Sequence, residues 1–220
     1  MRHTAGTPSA AYSGKLGVTQ KEKDPLLVTD VRRLVAACPS HLLGLRDRAL
    51  VLVGLAGAFW RSELATIEVR NLVFSESGVA ITLAHSKTDQ EGAGCEVAVP
   101  FGEHAEACPV SVMRAWLKAA GITAGAVFRC VDRHGHTLPH GLHLDSIGPI
   151  LKHSAMRAGI DASKLTGHSM RAGMATQAAM NGEGERSIAK TTGHKSRRVL
   201  RRYIRSGQLF SENAAANLGL

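Results

Sequence analysis

Residues 167–205 read GHSMRAGMATQAAMNGEGERSIAKTTGHKSRRVLRRYIR. His168 and Arg171 stand three apart, so on a helix they share a face. His194 follows Arg171 by 23 residues, and Tyr203 follows His194 by nine. Between those last two lie five basic residues, Lys195, Arg197, Arg198, Arg201 and Arg202. Glycines at 167, 182, 184 and 193 punctuate an otherwise helical pattern, so the stretch is expected to fold as a succession of short helices. Its residue types suit one kind of chemistry. Cleaving a phosphodiester without a metal requires a nucleophile, positive charge against the non-bridging oxygens, and a proton for the leaving oxygen. A tyrosine hydroxyl can attack, an arginine can grip phosphate oxygens in bidentate fashion, and histidines exchange protons near neutral pH. Taken singly, an HxxR pair is ordinary surface decoration and a tyrosine in a basic helix is an ordinary packed ring. The set in this order and spacing is far more specific.

Working outward, residues from 144 onward read as helical. Upstream, 128–141 reads as a loop. The segment RHGHTLPHGLH across 133–143 places four histidines, His134, His136, His140 and His143, at spacings that fit neither a helical metal site nor a zinc finger, so a polar surface loop and no metal are expected. SVMRAWLKAAG (111–121) reads as a helix stopped by Gly121. Before it the period changes. NLVFSESGVAITLAHSKT (71–88) alternates apolar and polar residues around a turn at 75–78, and CEVAVP (95–100) follows a second turn at DQEGAG (89–94). Three short antiparallel strands are expected there. Nearer the start, Thr29 or Asp30 can cap a helix through VRRLVAAC that stops before Pro39. A second helix is expected from 45–47 through ALVLVGLAGAFW (49–60), and a third from 62–64 to about 67. Residues 1–24 are rich in Gly, Ser, Thr and Lys without a period, and read as a disordered arm or linker. The fold class is therefore mainly α with a small three-stranded antiparallel β-sheet, an α+β architecture.

Composition narrows the partner. Of 220 residues, 44% are hydrophobic and 20% charged, the proportions of a soluble globular chain. The longest apolar run, 49–60, is too short to span a bilayer, and the N-terminus has no apolar signal region, so a cytoplasmic protein with no membrane partner is expected. Cysteines at 38, 95, 108 and 130 form no CxxC pair and read as reduced thiols. Net charge is +9, and residues 151–206, with twelve Lys and Arg against three Asp and Glu, hold all of it. Such a concentration points to a polyanionic partner, nucleic acid above all.

The sequence also resembles a known family, the tyrosine recombinases, or phage integrases. GHSMRAG, TGHKS and RRYIR are similar to that family's second conserved box, SKTDQEG (86–92) to its β-hairpin lysine segment, and GAFWRSELATI (57–67) to its first box. The likeness spans roughly 25–220 and is strongest to bacterial and phage site-specific integrases. It implies DNA recombination and integration through a 3′-phosphotyrosyl bond and a free 5′-hydroxyl. By the same resemblance Tyr203 is the nucleophile, Arg171 binds the scissile phosphate, Lys87 protonates the departing 5′-oxygen, His168 assists proton transfer and His194 hydrogen-bonds the phosphate. Energy is conserved in the phosphotyrosine, so no cofactor is implied. Residues 25–206 would form the catalytic domain. Residues 207–220 would form a tail helix able to couple a homo-oligomer, a tetramer on DNA. By the same resemblance the partner is double-stranded DNA, which Lys195, Arg197, Arg198, Arg201 and Arg202 would contact.

Two departures stand out. The family's first arginine precedes its glutamate by three residues, and three before Glu63 is Trp60, not arginine. Arg61 is one residue late, a rotation of about 100° on a helix, so it is expected to point elsewhere. The family's N-terminal core-binding domain is also expected to be absent. Alternative readings are a catalytically inactive DNA-binding module derived from an integrase, favoured by Trp60, and a type IB topoisomerase-like enzyme that relaxes DNA.

Overall fold

The computed structural model describes residues 24–83, 94–194 and 196–209. Its elements are those of a helical body with a small sheet on one flank. Helix α1 (Val28–Ala36) begins one residue before the expected cap. Leu27 occupies the capping position without a side-chain hydrogen bond, and Asp30 lies inside the first turn, where its charge faces the positive end of the helix. Helix α2 (Leu42–Ala56) is buried around much of its circumference, with 49–54 all inside, as befits a central helix. It stops at Ala56 instead of running to Trp60. Phe59 is fully buried and folds back over Gly57, where a Cβ would lie 2.1 Å from the ring. Ala58 takes φ of 49°, a left-handed conformation unusual outside glycine. Helix α3 (Arg61–Thr66) then starts afresh, its first turn held by the Glu63 carboxylate, which accepts the Trp60 backbone N–H at 2.8 Å.

The sheet has the expected strands in the order β1 (Leu72–Phe74), β2 (Gly78–Leu83) and β3 (Cys95–Pro100), all antiparallel. Val79, Ile81 and Leu83 of β2, with Val99 of β3, turn inward at every second position, which is the alternation read from the sequence. Helix α4 (Pro109–Ala119) packs beside α2, and Trp116 at its centre is fully buried with its indole N–H donating to the Val127 carbonyl at 2.8 Å. The expected loop at 128–141 is instead a two-stranded hairpin, β4 (Arg129–Val131) and β5 (Thr137–Gly141). His134 and His136 occupy its turn and His140 its second strand. All three are exposed, as is His143 beyond it.

Four helices complete the body: α5 (Ile147–Arg157), α6 (Gly167–Met180), α7 (Glu185–Thr192) and α8 (Arg197–Gly207). Asp47, buried on α2, accepts hydrogen bonds from Arg46 (2.9 and 2.6 Å) and from Arg157 of α5 (3.1 Å), tying those helices together. Removing the Asp47 carboxylate would leave the buried Arg46 guanidinium uncompensated, at a cost of about 3–5 kcal/mol. The main core joins α1–α6 to the sheet. A second, smaller core of Ala175, Ala179, Ile188 and Leu200 holds α6, α7 and α8 together, with Tyr203 and Ile204 packed against it. No helix among the described residues is long and apolar enough to cross a membrane.

Candidate active site

Three elements of this second core carry the chemistry-bearing side chains. Helix α6 presents His168 and Arg171 from one face of its first turns, α8 presents Tyr203, and the turn after α7 presents His194. His168 Nε2 and the Tyr203 hydroxyl are hydrogen-bonded at 2.8 Å. The His194 and Tyr203 rings lie 5.9 Å apart between centroids. Arg171 is 3% exposed, and arginines are seldom so buried unless paired. One of its nitrogens, Nη1, donates to the Ala58 carbonyl at 2.7 Å, and Nε has no hydrogen-bond partner among the described residues. The left-handed backbone at Ala58 is thus what turns a carbonyl onto Arg171.

Trp60 stands in the middle of the cluster. Its indole stacks on His168 at 5.3 Å and 29°, and the Arg171 guanidinium sits 4.6 Å from the indole ring centre, in a cation–π arrangement. Trp60 therefore touches both the titratable and the charged side chain that α6 presents. It holds a histidine and an arginine in fixed relation. Arg61 turns away, its Nη1 2.7 Å from the Asp145 carboxylate.

Burial sets the charge states. It pushes the His168 pKa below the ordinary imidazole value, with Arg171 adding repulsion. His194 is pushed down to about 4, by burial first and then by Arg171 and His168. Arg171 is itself drawn down by burial, opposed by Glu63 and Tyr203. Near neutral pH the site holds two neutral imidazoles beside a cation, a combination able to accept a proton and to bind an anion. A cavity of about 390 Å³ opens beside it, lined by Glu63, Cys95, Arg171, Lys190 and Thr192 among others.

Of the residues singled out from sequence, the structure brings Tyr203, Arg171, His168, His194 and Trp60 together. Lys87 and Lys195 lie outside the described residues, as do 210–220 of the expected tail, whose first residue, Gly207, is the last of α8. Arg197, Arg198, Arg201 and Arg202 are exposed on α8, and Arg201 reaches back to Glu185 of α7 at 3.0 Å. Sequence reasoning missed the Ala58 carbonyl, the ion pair from Arg61 to Asp145, and Thr192, which is hydrogen-bonded to His194. Nothing in the linear sequence marks the first two. The third had a signal in the Gly193 that follows it, a residue suited to the left-handed turn that ends a helix.

Comparison with known proteins gives the family and the fold. The phage integrase family matches residues 26–208. An integrase/recombinase xerD homolog from Selenomonas ruminantium is 39% identical over 206 residues, which cover 93% of this chain and 60% of that protein. The XerA recombinase structure superposes with a TM-score of 0.64 at 21% identity, covering 84% of this chain and 60% of its own. XerH bound to a palindromic difH substrate gives 0.69 at 16% identity, over 90% and 54%. The Tn1549 transposon integrase with circular intermediate DNA gives 0.63 at 15% identity, over 90% and 67%. At these identities the structural matches establish the fold. The chain spans 60% of the length of the Selenomonas relative.

Proposed function

Because this chain belongs to the phage integrase family of tyrosine recombinases, we propose that it performs site-specific cleavage and rejoining of double-stranded DNA in the cytoplasm, through a phosphotyrosyl intermediate on Tyr203. The observation that carries the reading is the hydrogen bond of 2.8 Å between Tyr203 and His168 beside a buried arginine. Tyr203 attacks the scissile phosphorus and His168 receives its proton. A bond forms between the tyrosyl oxygen and phosphorus as the bond to the 5′-oxygen breaks, and that oxygen leaves with a proton supplied by Lys87. Rejoining reverses each transfer. Arg171 offsets charge on the non-bridging oxygens, which a preorganised, buried cation does without reorganising at the moment of reaction. Its carbonyl partner and the indole beneath it hold the guanidinium in place.

Trp60 favours a second reading, a DNA-binding module whose cleavage is slow or lost. An indole offers one N–H and no charge where the family has a guanidinium, and losing such a donor typically slows reaction about 10²- to 10³-fold. One experiment separates the readings. Nicked duplexes are incubated with the unmodified chain, with Tyr203→Phe and with Trp60→Arg, and covalent protein–DNA adducts are resolved on a denaturing gel. Under the first reading the unmodified chain yields an adduct that Tyr203→Phe lacks, and Trp60→Arg forms it faster. An adduct from Trp60→Arg alone selects the second reading. An adduct that survives Tyr203→Phe refutes the assignment of the nucleophile.

A further inference from the structure

We propose that the cleft between β3 and α7 receives the DNA strand that leaves with the 5′-hydroxyl, and that Lys190 is a further DNA-binding residue there, gripping a phosphate of that strand. The proposal rests on the recombinase reading for which strand enters. The cleft and its charge are features of the protein alone.

The cleft, of about 390 Å³, has two walls and a floor. One wall is residues 95–98 of β3, the edge strand of the larger sheet. The other is α7, where Ser187, Lys190 and Thr191 stand three and four apart on one face. Ile188 of the same helix packs into the second core, so α7 cannot turn Lys190 away from the cleft without exposing it. The floor holds Arg171 and Glu63. Of the catalytic cluster, Arg171 alone is among the described residues that line the cleft. Displacement at phosphorus runs in line, so the 5′-oxygen departs from the face opposite the attacking Tyr203. With the scissile phosphate on Arg171, this cleft is the space open to the departing strand. Chain connectivity agrees. Strand β2 ends at Leu83 and β3 begins at Cys95, both on the cleft lining, and Lys87, the proton donor of the proposed reaction, lies between them in sequence.

A run of phosphates needs cations, and the floor supplies no net charge. The buried Glu63 carboxylate stabilises the charge on Arg171, and the two together are neutral. Glu96 of β3 adds a negative charge to the wall. Lys190 is the remaining lysine or arginine among the described residues of the lining, and it is exposed. It makes no ion pair among the described residues, whereas Asp145 holds Arg61 and Glu185 holds Arg201. An ammonium on a flexible four-carbon stem suits a phosphate held as a point charge.

Two measurements on the full chain test this. The first needs no cleavage. Anisotropy of a labelled nicked duplex between about 50 and about 200 mM salt gives the slope of log affinity against log salt. Lys190→Ala is expected to lower the magnitude of that slope by about 0.9, the share of one phosphate, and Lys190→Arg to keep it. Lys118→Ala removes another exposed charge, from α4 outside the cleft, and is expected to leave the slope unchanged. An unchanged slope in Lys190→Ala overturns the proposal, as does an equal loss in Lys118→Ala. The second measurement is resealing, in which the covalent adduct on the nicked duplex is offered rising concentrations of a 5′-hydroxyl oligonucleotide. Lys190→Ala is expected to raise the half-saturating concentration about three- to tenfold and to leave the limiting rate nearly unchanged. An unchanged half-saturating concentration overturns the assignment of the strand. If the unmodified chain forms no adduct, the recombinase reading fails and the strand assignment falls with it, while the slope still decides whether Lys190 grips DNA.

Discussion

Two histidines held neutral beside a buried arginine make the site acid-sensitive, and the sign follows from their environment. His168 and His194 both have depressed pKa values in the folded chain, His194 at about 4, against an ordinary value of 6.5. Between those limits the unfolded chain binds more protons than the folded one, so stability rises with pH across the window and is lost as pH falls through it. Urea denaturation at a series of pH values is expected to show the midpoint falling from about pH 6.5 toward about pH 4. His194→Gln, which removes one of the two groups, should flatten that fall. An unchanged slope in the variant would assign the acid sensitivity to other groups. At this scale the sequence was readable where residue type and order sufficed. Tyr203, Arg171 and His168 could be named because phosphodiester chemistry needs those types, and Trp60 because a count back from Glu63 lands on it. What Trp60 touches was not readable, because its stacking on His168 depends on α3 and α6 meeting. Thr192 is an ordinary helix-end residue until Gly193 folds His194 onto it.

Helix α6 is the element on which the site depends, and it is held from behind. Ser169, Gly173 and Gln177 lie four apart and form a stripe along the helix. Against that stripe runs the strap at 24–28. The Leu26 amide donates to the Ser169 carbonyl at 2.9 Å, and the Val28 amide donates to the Gln177 side chain at 3.2 Å. Between them the Leu26 carbonyl lies so close that a Cβ on Gly173 would sit 2.0 Å from it. Gly173→Ala should therefore push the strap off α6 and destabilise the fold by about 1–3 kcal/mol, the usual cost of overpacking. The check is the urea midpoint, and an unchanged midpoint would show that the strap gives way freely. Elements were legible to the extent that their periods were clean. The three strands of the larger sheet alternate and were read correctly. The β4–β5 hairpin was missed because β4 has only three residues and β5 carries Pro139 and His140, which break a strand pattern. The break between α2 and α3 comes at Ala56, before the expected end at Trp60, because it is made by Phe59 folding over Gly57, a tertiary contact inside an unbroken apolar run.

On the scale of the molecule the decisive quantity is where charge lies. The whole excess of +9 falls within 151–206, and α8 carries Arg197, Arg198, Arg202 and Arg205 as exposed residues. Leu200 and Ile204 on the same helix pack into the second core with Tyr203, so the packing that seats the tyrosine also turns the arginines outward. Arg201 pairs with Glu185 of α7. If these four exposed arginines each neutralise a phosphate, the logarithm of DNA affinity should fall with the logarithm of salt at a slope of about −3.6, or about 10²-fold between about 50 and about 200 mM. Fluorescence anisotropy of a labelled duplex over that range measures the slope. The double variant Arg197→Ala, Arg198→Ala should reduce its magnitude by about 2 while leaving thermal stability nearly unchanged, since both side chains are exposed. A slope that stays the same in the variant would place the DNA on another surface, and a flat response in the unmodified chain would remove this basic face as the contact altogether.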